Sequence, residues 1–206
     1  QEAITWYDKA LAIAPSYVDA LYNKGAALGH LGQYQEAITW YDKALVIDPS
    51  YLDALINKGN ALYILGQDQE ALITFDKVLA IDPNRVKALY NKGVALQNLG
   101  QSQEAITYYD KVLAIDPNDV DALINKGNAL NNFGQYQEAI TYDDKVLAID
   151  PNRVKALNNK GIALKNLGQY QEAITWFDKA LAIDPTNVEA LNNKKDAKNL
   201  GQYQEP

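Results

Sequence analysis

Prolines stand at positions 15, 49, 83, 117, 151 and 185, always 34 residues apart. Glycines keep the same period twice over, at 25, 59, 93, 127 and 161 and again at 32, 66, 100, 134 and 168. A fixed period of this length means one supersecondary unit used repeatedly, each copy burying its faces against its neighbours. Proline cannot continue a helix and biases the residue before it away from helical angles, so "IDPN" and "IDPS" mark breaks between units. "LGQ" marks a turn inside each unit, where glycine frees the backbone at a helix end. The first unit therefore divides into one helix from Val18 to Leu31 and another from Gln35 to Asp48. On a helical wheel Ala20, Leu21, Gly25, Ala27, Leu28 and Leu31 share one arc of the first, and Ala37, Ile38, Tyr41, Ala44 and Leu45 one arc of the second.

Composition limits the chemistry. Hydrophobic residues make up 48% of the 206, enough for a core. There is no cysteine and a single histidine, His30, so thiolate and histidine-cluster metal sites are excluded. A net charge of −7 argues against nucleic acid, whose phosphates call for lysine and arginine. No apolar run approaches the length of a membrane span. No signal peptide is evident, and because the chain opens with Gln1 it reads as a fragment or a processed product; a cytoplasmic location is the expectation. "GHLG" around His30 reads as a surface turn. "NKG", which recurs five times, lies inside a helix and lacks the glycines of a phosphate loop. The carboxylates Asp42, Asp76, Asp110, Asp144 and Asp178 recur on second helices and read as a solvated outer face. The expectation is no enzyme, no cofactor and no metal.

The pattern resembles the tetratricopeptide repeat over nearly the whole chain. The family's large residue near the start of the first helix is matched by Leu21, Leu55, Leu89, Leu123, Leu157 and Leu191, and its small residue by Gly25 and its equivalents. The alanine opening the second helix is matched by Ala3, Ala37, Ala71, Ala105, Ala139 and Ala173, and the aromatic four residues on by Tyr7, Tyr41, Phe75, Tyr109 and Phe177. The resemblance implies an all-α, right-handed solenoid of antiparallel helix pairs, a single array over 1–206. In the family's phasing it holds complete repeats at 18–51, 52–85, 86–119, 120–153 and 154–187. Residues 1–17 are then an orphan second helix, and 188–206 a C-terminal capping helix and tail. Units also pair at twice the period: 52–85 and 120–153 share "DALINKGNAL", which suggests duplication of a two-unit block or deliberate design.

Opposite the apolar arc of the first helix lie Asp19, Asn23, Ala26 and His30. In this family the first helices line a concave groove, so the resemblance implies that Asn23, Asn57, Asn91, Asn125, Asn159 and Asn193 form a ladder along it. An asparagine side chain offers an acceptor and two donors, matching the backbone of an extended peptide. Other family members bind peptides through such a ladder; a solvated or inter-unit asparagine explains the recurrence equally. At about 0.5–1.5 kcal/mol per net hydrogen bond the ladder alone binds weakly, so selectivity falls to neighbours: Tyr22 and Tyr90, Asn60 and Asn128, and Lys87 and Lys155, which favour an acidic ligand. The carboxylate clamp of chaperone-binding members is incomplete, since Asn60 and Asn91 match it but Ile56, Asp121 and Asn125 do not. The function expected is a scaffold for protein or peptide partners. The alternatives are a substrate-recruiting arm of a larger enzyme, a self-associating array, and an engineered array without a natural ligand.

Three departures stand out. Asp143 occupies the aromatic position, where a carboxylate is costly unless it reaches water or a cation; the expectation is escape at the edge of the helix pair beside a lysine. Lys24 and its equivalents fall inside the apolar arc, where the family has leucine. Their stems are expected to fill the space between units and their heads to find an acidic group or helix-end carbonyl next door. At the ends, Lys195 replaces the glycine and gives 188–200 a polar outer face. The first helix has no such cap, leaving Ile4, Tyr7 and Leu11 partly bare and able to support a homo-oligomer.

Overall fold

The structure is a computed structural model and describes residues 2–202. It contains twelve helices and, among those residues, no strand: α1 (Glu2–Ile13), α2 (Val18–His30), α3 (Tyr34–Ile47), α4 (Leu52–Ile64), α5 (Asp68–Ile81), α6 (Val86–Asn98), α7 (Ser102–Ile115), α8 (Val120–Phe133), α9 (Tyr136–Ile149), α10 (Val154–Asn166), α11 (Tyr170–Ile183) and α12 (Val188–Gln202). The chain forms two compact units, Gln1–Gly100 and Gln101–Pro206. No helix among the described residues is long and apolar enough to cross a membrane.

Both kinds of break have local causes. After α2, Gly32 takes a left-handed φ of 76°, and Gln33 N–H reaches back to the Leu28 carbonyl, closing the helix end that only glycine closes cheaply. Before the prolines from Pro49 to Pro185 the aspartate is extended, as at Asp48 (φ −126°, ψ 93°). Its carboxylate then accepts the backbone N–H two residues on, as Asp48 does from Ser50 and Asp116 from Asn118. In "IDPN" the proline stops the helix and the aspartate folds the turn. Only at α8 does the helix run one residue further, to Phe133, ahead of Gly134.

Every helix packs on the next one within its unit. First helices also pack on first helices: α2 on α4 and α4 on α6 in one unit, α8 on α10 and α10 on α12 in the other. Within each unit the first helices thus form an inner row, and the second helices pack against the first helices before and after them. Leu55, Ile56, Val78 and Ala88 make one typical core cluster, and Leu123, Ile124, Val146 and Ala156 another. Gly25, Gly59 and Gly161 let a ring lie flat against the first helix. A Cβ at Gly59 or Gly161 would come within 2.5 Å of Phe75 or Phe177, and one at Gly25 within 2.7 Å of Tyr41. The apolar arcs hold, except that Leu31 caps α2 and is 49% exposed.

Candidate functional site

Six lysines, one at the same position of each first helix, are tied to the second helix before them. Lys24 pairs with Asp8, Lys58 with Asp42, Lys92 with Asp76, Lys126 with Asp110, Lys160 with Asp144 at 2.5 Å, and Lys194 with Asp178. The stems of Lys24, Lys92, Lys126 and Lys160 are buried, as expected for residues that join units. The recurring carboxylates are therefore not a purely solvated face: each is about half exposed and engaged by a lysine. Several ammonium groups also sit on an aromatic ring of the following second helix. Lys24 is 3.7 Å from the Trp40 centroid, Lys126 4.1 Å from Tyr142 and Lys160 3.9 Å from Trp176. At Lys126 burial disfavours the charge, but the bonds to Asp110 and to the Tyr142 hydroxyl (2.6 Å) outweigh it, and its pKa is raised.

The asparagines lie on the inner row. Asn23, Asn57, Asn91, Asn125 and Asn193 are half-buried. Asn57 donates to the Tyr22 hydroxyl at 3.1 Å and is also hydrogen-bonded with Tyr41. Asn91 donates to Asn60 Oδ1 at 2.7 Å. Asn125 accepts from Lys155 at 3.4 Å and Asn193 from Lys165 at 2.8 Å. Apart from the Asn57–Tyr41 bond, which reaches the second helix α3, these contacts run between adjacent first helices, so the asparagines join neighbouring repeats whatever else they do. In the first unit Asn57 and Asn60 line a cleft of about 140 Å³ with Ala26, His30, Tyr34 and Tyr41. Tyr22 stands beside it, edge-on to Tyr51 at 5.0 Å. Burial and the neighbouring Asp53 raise the Tyr22 pKa; burial, then Tyr22, pushes Tyr41 up to about 12. Tyr90, on a first helix of the first unit, and Asn128, on one of the second, are half-buried.

The charges are sorted as well. Asp53 is held by Arg85 at 2.8 Å, Asp121 by Arg153 at 3.3 Å, and Asp19 accepts from the Tyr51 hydroxyl at 3.1 Å. Lys87 and Lys155 are exposed and make no ion pair among the described residues.

Asp143 behaves otherwise than expected. Its side chain is fully buried, with neither oxygen finding a protein hydrogen-bond partner. It lies on the inward face against Gly127, whose Cβ would stand 3.1 Å from its Oδ1, so the short chain cannot reach the helix edge. The nearby Lys160 is committed to Asp144. Burial pushes the Asp143 pKa up to about 8, with Asp144 adding to the rise and Lys160 opposing it. The consequence reaches the inner row. Tyr41 serves Asn57, sixteen residues on; Asp143 has no hydroxyl to offer Asn159. Asn159 is 5% exposed, and its Nδ2 lacks a protein partner, as do Asn131 Oδ1 and Asn158 Oδ1. The sixteen-residue spacing was the signal that could have placed Asn159 outside the common pattern.

Family models match this architecture. The tetratricopeptide repeat model matches residues 18–51, 86–119 and 154–187, a second model of that description matches 108–141, and a TPR repeat model matches 1–32 and 59–100. The chain belongs to the tetratricopeptide repeat family. Among solved structures it is similar to YrrB, described as a TPR protein with an unusual peptide-binding site. That match has 28% identity and a TM-score of 0.79, and covers 92% of this chain and 97% of that one. It is also similar to MamA from Desulfovibrio magneticus RS-1, at 25% identity and a TM-score of 0.78, over 83% of this chain and 97% of the other. A tetratricopeptide repeat protein from Parabacteroides merdae shares the fold at 22% identity and a TM-score of 0.82, over 89% and 73%. No curated protein sequence matches the chain. As a tetratricopeptide array of this kind, the protein is a protein-interaction scaffold.

Proposed function

We propose that the scaffold holds an extended peptide along the inner row of first helices. The asparagine at one fixed position of every first helix carries the reading: Asn23, Asn57 and Asn91 in the first unit, Asn125, Asn159 and Asn193 in the second. Each amide has more hydrogen-bonding groups than one neighbour uses. Asn57 Oδ1 and Asn60, beside the cleft, suit a peptide N–H, while Tyr22 and Tyr90 offer ring surface next to the row. The exposed ammonium groups of Lys87 and Lys155 supply charge selection. Asp53 and Asp121 are already held by arginines, which leaves Lys87 and Lys155 to favour an acidic extended segment as the ligand. The peptide-binding site of YrrB supports a peptide as the ligand class. Asn159, buried and bonded through its backbone carbonyl to Asn131 at 3.3 Å, contributes least.

The test is a peptide array probed with the parent chain and with Asn57→Ala/Asn91→Ala, followed by calorimetry on the best binder. The expected result is an acidic extended peptide that loses at least about tenfold in affinity in the double variant, two net hydrogen bonds' worth. A second variant, Lys87→Glu, should weaken the same peptide in a salt-dependent way. If no peptide prefers the parent over the double variant, the reading fails.

A further inference from the structure

Three of the second helices carry an aromatic ring held between two lysines. Trp40 lies between Lys24 (3.7 Å) and Lys43 (3.8 Å), Tyr142 between Lys126 (4.1 Å) and Lys145 (4.5 Å), and Trp176 between Lys160 (3.9 Å) and Lys179 (3.7 Å). The first lysine comes from the preceding first helix, sixteen residues back; the second is three residues on. In α5 both lysines are present, Lys58 and Lys77, but the residue between them is Thr74. Its hydroxyl turns back to the Glu70 carbonyl at 2.8 Å.

The absent ring leaves a notch of about 440 Å³ walled by α3, α4 and α5, with Leu45, Val46 and Leu55 as its apolar lining and Lys58 and Lys77 at its sides. Lys58 registers the loss: its side chain is 23% exposed, against 10% for Lys24, 5% for Lys126 and 11% for Lys160. Val46 is a second departure at the same place. Five other second helices have alanine there, as at Ala80 and Ala148, and Val46 is 82% exposed at the notch. Lys77, unlike Lys58, makes no ion pair among the described residues.

We infer that the notch beside Thr74 is a docking site for one tryptophan or tyrosine side chain of a partner protein, received between Lys58 and Lys77 as the chain's own rings are received in other repeats. The occupant is specified by the molecule itself. Equivalent frames at Trp40, Tyr142 and Trp176 show which group two lysines and an apolar floor accept, and the cation–π attraction to two ammonium groups favours a ring over an aliphatic chain. Lys58 keeps its Asp42 partner while it contacts the ring, as Lys24 keeps Asp8 under Trp40. Lys77 brings an uncompensated charge, so acidic residues beside the partner's aromatic are preferred. The site lies on the second helices and does not rest on the peptide reading of the inner row.

The test uses ¹⁵N-labelled full chain titrated with a blocked peptide, Glu-Gly-Trp-Gly-Glu, its leucine counterpart, and free indole. Saturable shifts are expected at the amides of Val46, Thr74 and Lys77, with the tryptophan peptide binding about tenfold more tightly than the leucine peptide and more tightly than indole. Thr74→Trp fills the notch from within: it should raise the melting temperature and abolish the peptide shifts. Val46→Asp, at an exposed position that leaves the fold intact, should weaken binding severalfold, and Asn57→Ala/Asn91→Ala should leave it unchanged. Absence of shifts at these amides, equal binding of the leucine peptide, undiminished binding by Thr74→Trp, or a lower melting temperature for Thr74→Trp would each overturn the proposal. Indole binding as tightly as the peptide would overturn its assignment to a protein partner.

Discussion

Replacing Asp143 tests the packing logic most sharply, because one substitution probes burial, ionisation and a distant hydrogen bond together. The carboxyl group has a native pKa of about 8 against an ordinary 3.8. Between those values the unfolded chain releases the proton and the native chain retains it. The native state thus binds more protons, and stability falls as pH rises from about 4, levelling off above about 8. At pH 7 the gap of about three units costs about 4 kcal/mol. Asp143→Asn keeps the shape and removes the charge, so its advantage over the parent should be small at pH 4 and grow to about 4 kcal/mol at pH 7. Every other side chain is common to both chains. Asp143→Tyr should gain more, because it also restores about 1.5–3 kcal/mol of buried ring and a hydroxyl within reach of Asn159. Gly127 leaves room for the ring as Gly25 does for Tyr41. For a chain of this size the combined gain corresponds to a rise in melting temperature of about 10 °C or more at pH 7. The assay is urea and thermal denaturation followed by circular dichroism at pH 4 and pH 7. An Asp143→Asn advantage that does not change with pH, or an unchanged or lower midpoint for Asp143→Tyr at pH 7, would refute the reasoning.

Further outcomes follow from the same contacts. Gly161→Ala drives a Cβ to within 2.5 Å of Phe177 and should cost about 1–3 kcal/mol by denaturation; Gly127→Ala, whose nearest contact is the Asp143 carboxylate at 3.1 Å, should cost less. Lys126→Glu places a second carboxylate against Asp110 with its side chain almost buried, and should destabilise by at least about 3 kcal/mol. Lys92→Met keeps the stem in place and should stay within about 1 kcal/mol of the parent in a urea melt, with peptide affinity unchanged. Tyr51→Phe removes the bond to Asp19 and should shift stability by no more than about 1 kcal/mol, the worth of one exposed hydrogen bond.

The helix boundaries were legible to within a residue because proline and glycine act locally: each break needs only its own φ and its own missing N–H. The lysine role was legible for a similar reason, since a cation in an apolar arc has few destinations. Its partners were not, because the sixteen-residue spacing from Asp8 to Lys24 crosses from one unit to the next and carries no mark on a single helical wheel. Asp143 was misjudged on the same ground. A wheel assigns it to the inward face but does not say whether a short side chain can leave that face, and the contact with Gly127 shows that it cannot. The asparagines were legible as one recurring position of the first helices. Which neighbour each one bonds varies from repeat to repeat, with Tyr22 and Tyr41 for Asn57, Asn60 for Asn91, Lys155 for Asn125 and Lys165 for Asn193, a coupling that no single repeat displays.

The lysine–aspartate pairs all span sixteen residues, and the side-chain bond from Asn57 to Tyr22 spans 35. No described side-chain bond within a unit waits for a remote part of the sequence. During synthesis, which adds about 5–20 residues per second, each first helix can be fastened to the second helix already outside the ribosome within seconds of its own emergence. The nascent chain then extends a finished structure by one helix at a time, and its exposed apolar surface at any moment is the open face of the latest addition.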